Sequence, residues 1–264
     1  MIGATTQRIG PRTSAAVKAL AARFIRRFSH CENGAVSTYI LWDIDGTLIY
    51  NTPQAGGLYL ESIEHVTGVR PTERVGNPHG MTEGQLLAAI LEVNGHDAAH
   101  ITAVLSRLDE LSLAQHESGF TRDRCVGVME AIEAVSSRGW VNALLTGNGP
   151  QRARYKIIAA GIDPAVFDWD YSYFGHESPT RHHLTADARA HLDGHHAVII
   201  GDTPNDGEAA DTAGIPFIAV ATGAFSAEQL SDSNALVVVE NLETGLDAVL
   251  EAITQSIETA SARK

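Results

Sequence analysis

The feature that most constrains this chain is an apolar run that ends abruptly at two aspartates. Tyr39–Trp42 are aromatic or aliphatic, and Asp43, Ile44, Asp45 and Gly46 follow directly. Such a run is typical of a buried strand in a parallel sheet, where ligands bind beyond the carboxyl ends of the strands. Carboxylates this close repel each other unless a cation or a shared proton offsets their charge. The stretch therefore predicts either a divalent-metal site or an Asp-Gly turn that merely ends the strand.

Composition excludes several classes of protein. The 264 residues suit one large domain, or one domain with a smaller one inserted, and an apolar fraction of 44% is ample for a core. The formal net charge of −13 argues against a nucleic-acid partner. No apolar run has the length of a membrane span, so we expect no stable membrane insertion. Cys31 and Cys125 are too few for a disulfide scaffold and indicate a reducing, cytoplasmic compartment.

The N-terminal segment differs from the rest in charge. Residues 1–35 contain six basic residues and one acid, Glu32. This segment resembles an organellar transit peptide, its 15–28 portion could form a basic amphipathic helix, and an overlong start is a third interpretation. We favour a flexible, dispensable extension over residues 1–36 that takes no part in the chemistry.

Hydrophobic periodicity divides the remaining chain into a helical block and an alternating part. Helical spacing predicts three helices in the block, at 58–67, 83–93 and 98–117. Strands are then predicted at 140–145, 170–174, 197–201, 216–221 and 235–239. The helices predicted between and after them lie at 126–138, 151–160, 179–192, around 209–213, and at 242–257. This alternation predicts an α/β fold with a doubly wound parallel sheet. We assign the core to 37–53 and 121–258, an inserted α-helical cap to 54–120, and a tail to 259–264.

Polar loops follow three of the predicted strands, and a parallel sheet would bring them to one edge. They contain Asp43 and Asp45, Thr146-Gly147-Asn148, and Asp202 and Asp206. Four converging aspartates are costly without a metal, and carboxylate ligands without cysteine favour Mg²⁺. Thr146 and the backbone amides of Gly147 and Asn148 could hold phosphate oxygens beside a helix N-terminus. Each loop taken alone could be structural.

Together these motifs resemble those of the haloacid dehalogenase-like (HAD) hydrolases, over about residues 38–250. The helical block lies at the position of the family's α-helical cap, as in phosphoglycolate phosphatase-like and β-phosphoglucomutase-like members. The first, second and fourth family motifs are matched by Asp43-Ile44-Asp45-Gly46-Thr47, by Thr146-Gly147-Asn148, and by Gly201-Asp202-Thr203 with Asp206. The resemblance implies a Rossmann-like core.

The resemblance also implies residue roles. Asp43 would be the nucleophile that becomes an aspartyl-phosphate. Asp45 would protonate the leaving oxygen and then activate water. Mg²⁺ would be held by Asp43, Asp202 and the backbone carbonyl of Asp45, with Asp206 ordering its waters.

The third family motif is a cation that neutralises the nucleophile and the phosphate. Members usually place a lysine or arginine on a helix before the fourth motif. Arg181, at the start of the predicted 179–192 helix, is our assignment. Lys156 is the runner-up, and its alternative interpretation is a solvated helix charge.

We therefore expect a Mg²⁺-dependent phosphatase, monomeric or homodimeric, that acts on a small phosphorylated metabolite. Asp45 argues against dehalogenation, because the dehalogenases of this family lack that second acid. Residues 52–120 contain no lysine, which excludes the Schiff base that a phosphonatase would need. A sugar-phosphate mutase and a non-catalytic phospho-ligand-binding relative are the alternatives. We expect the loop 70–82 to confer substrate specificity, with Arg74, His79 and Thr82 as candidates.

Overall fold

The computed structural model describes residues 36–52 and 56–262, so the predicted basic extension lies almost entirely outside the described residues. The described strands form one parallel sheet in the order β3-β2-β1-β4-β5-β6. They are β1 (Thr38–Trp42), β2 (Val141–Thr146), β3 (Asp168–Phe174), β4 (His196–Gly201), β5 (Phe217–Val220) and β6 (Val238–Val239). The predicted doubly wound parallel sheet is confirmed.

Helices connect the strands and form the block that follows β1. They are α1 (Gly57–Thr67), α2 (Glu83–Val93), α3 (Ile101–Glu117), α4 (Val128–Ser137), α5 (Pro150–Ala159), α6 (Arg181–His191), α7 (Pro204–Ala213), α8 (Ala227–Leu230) and α9 (Leu242–Ala262). Among the described helices, none combines the length and apolarity needed to cross a bilayer.

Three local features differ from the sequence prediction. Helix α9 continues to Ala262 instead of ending at 257, because no helix breaker interrupts residues 258–262. Helix α8 was not predicted, since it is a single turn stabilised by a capping box between Ser226 and Gln229. Strand β6 covers only Val238–Val239, and Asn234 just before it has a positive φ of 54°.

Strand β1 lies at the centre of the sheet and is buried on both faces. Ile40 and Trp42 face a core formed with α4, α5 and α9, while Tyr39 and Leu41 face a second core formed with α6 and α7. Helices on both faces explain why the run is apolar without alternation.

The helical block has an apolar cluster of its own, separate from the two cores of the sheet. Its buried members are Ile63, Leu87, Ile90, Leu91, Val104 and Leu108. This cluster is consistent with a cap built from α1, α2 and α3, although residues from Ser37 onward group as one compact unit. The assignment of 54–120 as a separate domain stays a prediction.

Candidate active site

The strand order explains why the predicted motifs meet. Strand β1 pairs with β2 on one side and with β4 on the other, all in parallel. The loops that begin at Asp43, at Thr146 and at Asp202 therefore share one edge of the sheet. The connections reverse direction beside β1, and such a switch point is where open α/β sheets bind ligands.

Asp43, Asp202 and Asp206 form a buried carboxylate cluster at this edge. One oxygen from each lies within 4.8 Å of the others. Neither carboxylate oxygen of Asp202 has a hydrogen-bond partner among the described residues. A Cβ on either Gly46 or Gly223 would overlap Asp202, so these glycines make room for its side chain. Burial raises the pKa of Asp202 well above its usual range, and the Asp43 and Asp206 carboxylates add to that effect.

Arg181 lies against this cluster as the first residue of α6. Its Nη2 is 3.2 Å from Oδ1 of Asp43 and 2.8 Å from Oδ1 of Asp206, and it donates a hydrogen bond to the backbone oxygen of Leu145. The Arg181 side chain is only 2% exposed. Burial raises the pKa of Asp43 to about 7, although Arg181 acts in the opposite direction.

The net charge and the donor atoms of the cluster indicate whether a metal ion would fit there. Three carboxylates and one guanidinium leave two negative charges when all are ionised. The unpartnered oxygens of Asp202 and the exclusively oxygen donors suit a hard divalent cation. Asp43, Asp202 and Asp206 are therefore a suitable set of metal ligands.

Asp45 has a different environment from the other aspartates. Its Oδ2 accepts a hydrogen bond from Nζ of Lys156 at 2.5 Å and another from Nδ2 of Asn148 at 2.8 Å. Burial alone would raise the pKa of Asp45, but the charge and hydrogen bond of Lys156 lower it to about 2. Burial lowers the pKa of Lys156 to about 8, with Asp45 acting in the opposite direction. The two shifts leave both groups mainly charged at neutral pH.

The expectation that Lys156 could be a solvated helix charge is wrong. Its side chain is only 6% exposed. It lies on the inner face of α5, and its Nζ also donates to Oδ1 of Asn148. Arg181 and Lys156 thus occupy separate places, one beside Asp43 and the other beside Asp45. Of the two, Arg181 contacts the predicted nucleophile.

Thr146 and Asn148 reach the site as predicted, but their polar groups are already engaged. Nδ2 of Asn148 donates to Oγ1 of Thr146 at 2.7 Å as well as to Asp45, and the backbone N–H of Asn148 also donates to that Oγ1. Their predicted contact with phosphate stays a prediction. The observed role of Asn148 is to join Asp45, Lys156 and Thr146.

The start of α2 lies directly over this edge of the sheet. The backbone N–H of Glu83 donates to the oxygen of Gly147 at 2.8 Å. The Glu83 carboxylate accepts from the N–H of Gly149 at 2.6 Å and pairs with Nε of Arg152 at 3.2 Å. The Arg152 guanidinium also lies over the ring of Tyr59, 4.4 Å from its centroid. The helical block therefore contacts the second motif through buried polar groups.

The three specificity candidates of the 70–82 loop fall in different environments. Arg74 is exposed, and so is His79, whose ring contacts Phe225. Thr82 is buried, caps α2 and donates to the oxygen of Ser178 at 2.7 Å. Thr82 therefore holds the block against the core.

Sequence reasoning missed Glu83 and Arg152 at this site, and also Arg122, which is buried just after α3 and whose charge acts on Asp45. One signal was present for Arg152, which lies four residues before Lys156 and hence on the same face of α5. Glu83 begins α2 within the helical block and Arg122 follows the block in sequence, and no local pattern connects either residue with the second motif.

Comparisons with known proteins agree with the fold and the motifs. A family model described as HAD-hydrolase-like matches residues 178–244, which include Arg181, Asp202 and Asp206. No curated protein sequence matches the chain.

Solved structures with similar folds cover most of the chain. A hydrolase from Pseudomonas syringae has 18% identity and a TM-score of 0.62, with 81% of this chain and 98% of that chain covered. A predicted phosphatase from Clostridium acetobutylicum has 17% identity and a TM-score of 0.62, with 82% and 100% covered. CbbY from Rhodobacter sphaeroides, solved with phosphate, has 17% identity and a TM-score of 0.60, with 80% and 96% covered. The predicted resemblance is thus confirmed: residues 178–244 match the HAD-hydrolase-like family model, and the sheet has the fold of these solved structures.

Proposed function

We propose that this protein is a Mg²⁺-dependent phosphatase that hydrolyses a small phosphorylated metabolite through an aspartyl-phosphate. The observation that carries the proposal is the difference in environment between two neighbouring aspartates. Asp43 lies in the carboxylate cluster beside Arg181, whereas Asp45 is held apart by Lys156 and Asn148. When the environments of two paired carboxylates differ, one can act as the nucleophile and the other as the general acid and base.

In the first step, an Asp43 oxygen attacks the phosphorus and the bond to the ester oxygen breaks. Asp45 delivers a proton to that leaving oxygen. In the second step, Asp45 takes a proton from water, whose oxygen attacks the phosphorus, and the Asp43 carboxylate is regenerated with release of phosphate. Each ester bond broken thus consumes one water.

Asp45 is anionic in the absence of substrate because Lys156 lowers its pKa to about 2. A negatively charged phosphoryl group that arrives beside it opposes this effect, since like charge disfavours a carboxylate. Substrate binding therefore favours the protonated acid that the first step requires.

Arg181 compensates charge around the nucleophile. Its Nη2 contacts Asp43 and Asp206, so the buried cluster carries less negative charge when an anionic phosphoryl group approaches. When bound by Asp43, Asp202 and Asp206, Mg²⁺ would supply further positive charge at the phosphoryl oxygens.

The test is phosphate release from a panel of phosphomonoesters in the presence of Mg²⁺, by the wild type and by Asp43→Asn. We expect turnover of at least one ester by the wild type and none by the variant. Wild-type activity in folded Asp43→Asn would overturn the assignment of the nucleophile, and no release from any ester would overturn the proposed function.

A further inference from the structure

A side-chain hydrogen bond joins two loops at the active-site edge whose strands are not neighbours in the sheet. Thr222 follows β5, and its Oγ1 donates to the backbone oxygen of Gly46, in the loop after β1, at 2.6 Å. Strand β4 lies between β1 and β5. The Thr222–Gly46 hydrogen bond therefore links the two loops on either side of the loop that begins with Asp202.

Both of these flanking loops border the carboxylate of Asp202. A Cβ on Gly46, or on Gly223 next to Thr222, would overlap the same atom, Oδ2 of Asp202. The backbone on each side thus lies directly against the carboxylate, and Asp202 is only 1% exposed. The two loops are the walls of a slot around Asp202, and the hydroxyl of Thr222 holds one wall to the other.

The backbone of Gly46 is held through both of its peptide groups. Its N–H donates to the oxygen of Ile49 at 2.7 Å, and its carbonyl accepts from Thr222. Its φ of +88° is one that glycine adopts without strain. The N–H of Gly46 and the carbonyl of Asp45 belong to one planar peptide group. Fixing Gly46 therefore also fixes the direction of the Asp45 carbonyl, which the HAD resemblance makes a metal ligand.

The slot favours a cation over water at Asp202. Neither carboxylate oxygen of Asp202 has a hydrogen-bond partner among residues 36–52 and 56–262. A carboxylate that is already ordered and desolvated has less to lose when it binds an ion. If the walls separated, water would solvate Asp202 and compete with the metal. Groups that orient a metal ligand in this way typically change the metal affinity by about 10–100-fold.

We propose that Thr222 is a positioning residue for the Mg²⁺ site: its hydroxyl holds the loops after β1 and β5 together around Asp202 and so sets the affinity for the metal. The single hydroxyl proton of Thr222 is donated to Gly46, so the residue acts through Gly46 and Asp202 and needs no contact with the ion. The inference rests on the Mg²⁺ site of the proposed function and adds a residue outside the family motifs matched by the sequence.

The experiment measures Mg²⁺ binding in the absence of substrate. Thermal unfolding is followed over a range of Mg²⁺ concentrations, and the rise in Tm reports the affinity. Thr222→Val keeps the shape of the side chain without the hydroxyl, Thr222→Ala removes both, and Thr222→Ser keeps the hydroxyl. We expect the valine and alanine variants to need about 10–100-fold more Mg²⁺ than the wild type for the same rise in Tm. The serine variant should resemble the wild type.

The matched control is Thr212→Val. The hydroxyl of Thr212 also donates to a backbone oxygen, that of Glu208, but it lies on the exposed side of α7. Thr212→Val should bind Mg²⁺ as the wild type does. Wild-type affinity in Thr222→Val or Thr222→Ala would overturn the inference, and so would a serine variant that binds as weakly as they do. Loss of folding without Mg²⁺ in both hydroxyl-free variants would show that Thr222 holds the fold instead, and would overturn it as well.

Turnover at low and at saturating Mg²⁺ supplies a second readout. Excess Mg²⁺ should restore most of the activity of Thr222→Val, whereas added metal would not correct a fault in the fold. Mg²⁺ affinity that depends on Thr222, without turnover of any ester, would support the inference and overturn the phosphatase proposal. Turnover with equal Mg²⁺ affinities in the wild type and Thr222→Val would overturn the inference alone. A wild type that binds no Mg²⁺ would overturn both.

Discussion

Nζ of Lys156 donates a hydrogen bond to Oδ2 of Asp45 across 111 residues of sequence, and both side chains are largely withdrawn from solvent. Asn148 completes this arrangement by donating to the same oxygen and accepting from the same ammonium group. The orientation of Asp45 is therefore determined by two residues, Asn148 of the second motif and Lys156 of the helix that follows it.

Replacement of Lys156 should impair catalysis. In Lys156→Ala, Asp45 loses its strongest partner, and we expect kcat to fall on the order of a hundredfold, as for a displaced reacting group. The exposed Arg154→Ala on the same helix is the control and should be nearly normal. Steady-state kinetics on one ester, with circular dichroism to verify folding, would check this. A folded Lys156→Ala with normal kcat would contradict the positioning role.

Removal of Arg181 should have an even larger effect, because it lies between two buried carboxylates. We expect Arg181→Ala to lose roughly 10²–10³-fold in kcat, the usual scale for lost transition-state electrostatics. A single nitrogen, Nη2, makes the contacts with Asp43, Asp206 and Leu145. Arg181→Lys should therefore recover part of the activity. No recovery by lysine would show that the guanidinium shape matters and not only its charge.

Metal removal should abolish activity reversibly. EDTA should stop phosphate release and excess Mg²⁺ should restore it, because the cation offsets the charge of the cluster. A second readout is thermal unfolding: Mg²⁺ should raise Tm of the wild type and raise it less in Asp202→Asn, which has lost a ligand. Undiminished turnover after metal stripping, or equal Tm shifts in the two proteins, would count against the site.

The nucleophile variant should be inactive yet folded. Asp43→Asn cannot attack phosphorus, and it removes one of three mutually repelling buried carboxylates. We therefore expect an unchanged or higher Tm in the absence of metal, together with loss of phosphate release. A sharp drop in Tm would indicate that Asp43 contributes to stability, contrary to its position at the edge of the sheet.

Glu83 should anchor the helical block. Glu83→Ala leaves Arg152 without its ion-pair partner and the Gly149 N–H without its acceptor, and both groups are buried. Loss of one partner of a buried pair costs about 3–5 kcal/mol. Urea denaturation should show a loss of this order, and hydrogen exchange should increase over residues 80–84.

The matched control for Glu83 is Glu64→Ala. Glu64 pairs with Arg70 on the surface, where both side chains are substantially exposed. Such pairs contribute about 0–1 kcal/mol. A Glu83→Ala variant as stable as this control would show that the buried pair does not hold the block in place.

The fold and the location of the site could be predicted from sequence because both depend on local patterns. The apolar run 39–42 is buried on both faces in the structure, and the pattern of strands and helices led directly to a parallel sheet. Parallel strands end at the same edge, so Asp43, Asp202 and Thr146 could be placed together before any contact was known. The HAD-like resemblance rested on these same positions.

What each charged side chain contacts was decided only by the tertiary structure. The sequence placed Lys156 and Arg181 on helices, but the direction in which α5 and α6 present them depends on how those helices lie against the sheet. The ion pair between Glu83 and Arg152 joins segments that are far apart in sequence. The burial of Arg122 likewise depends on how distant segments pack around it. Side-chain partnerships of this kind depend on burial and distance in three dimensions, and no local periodicity carries that information.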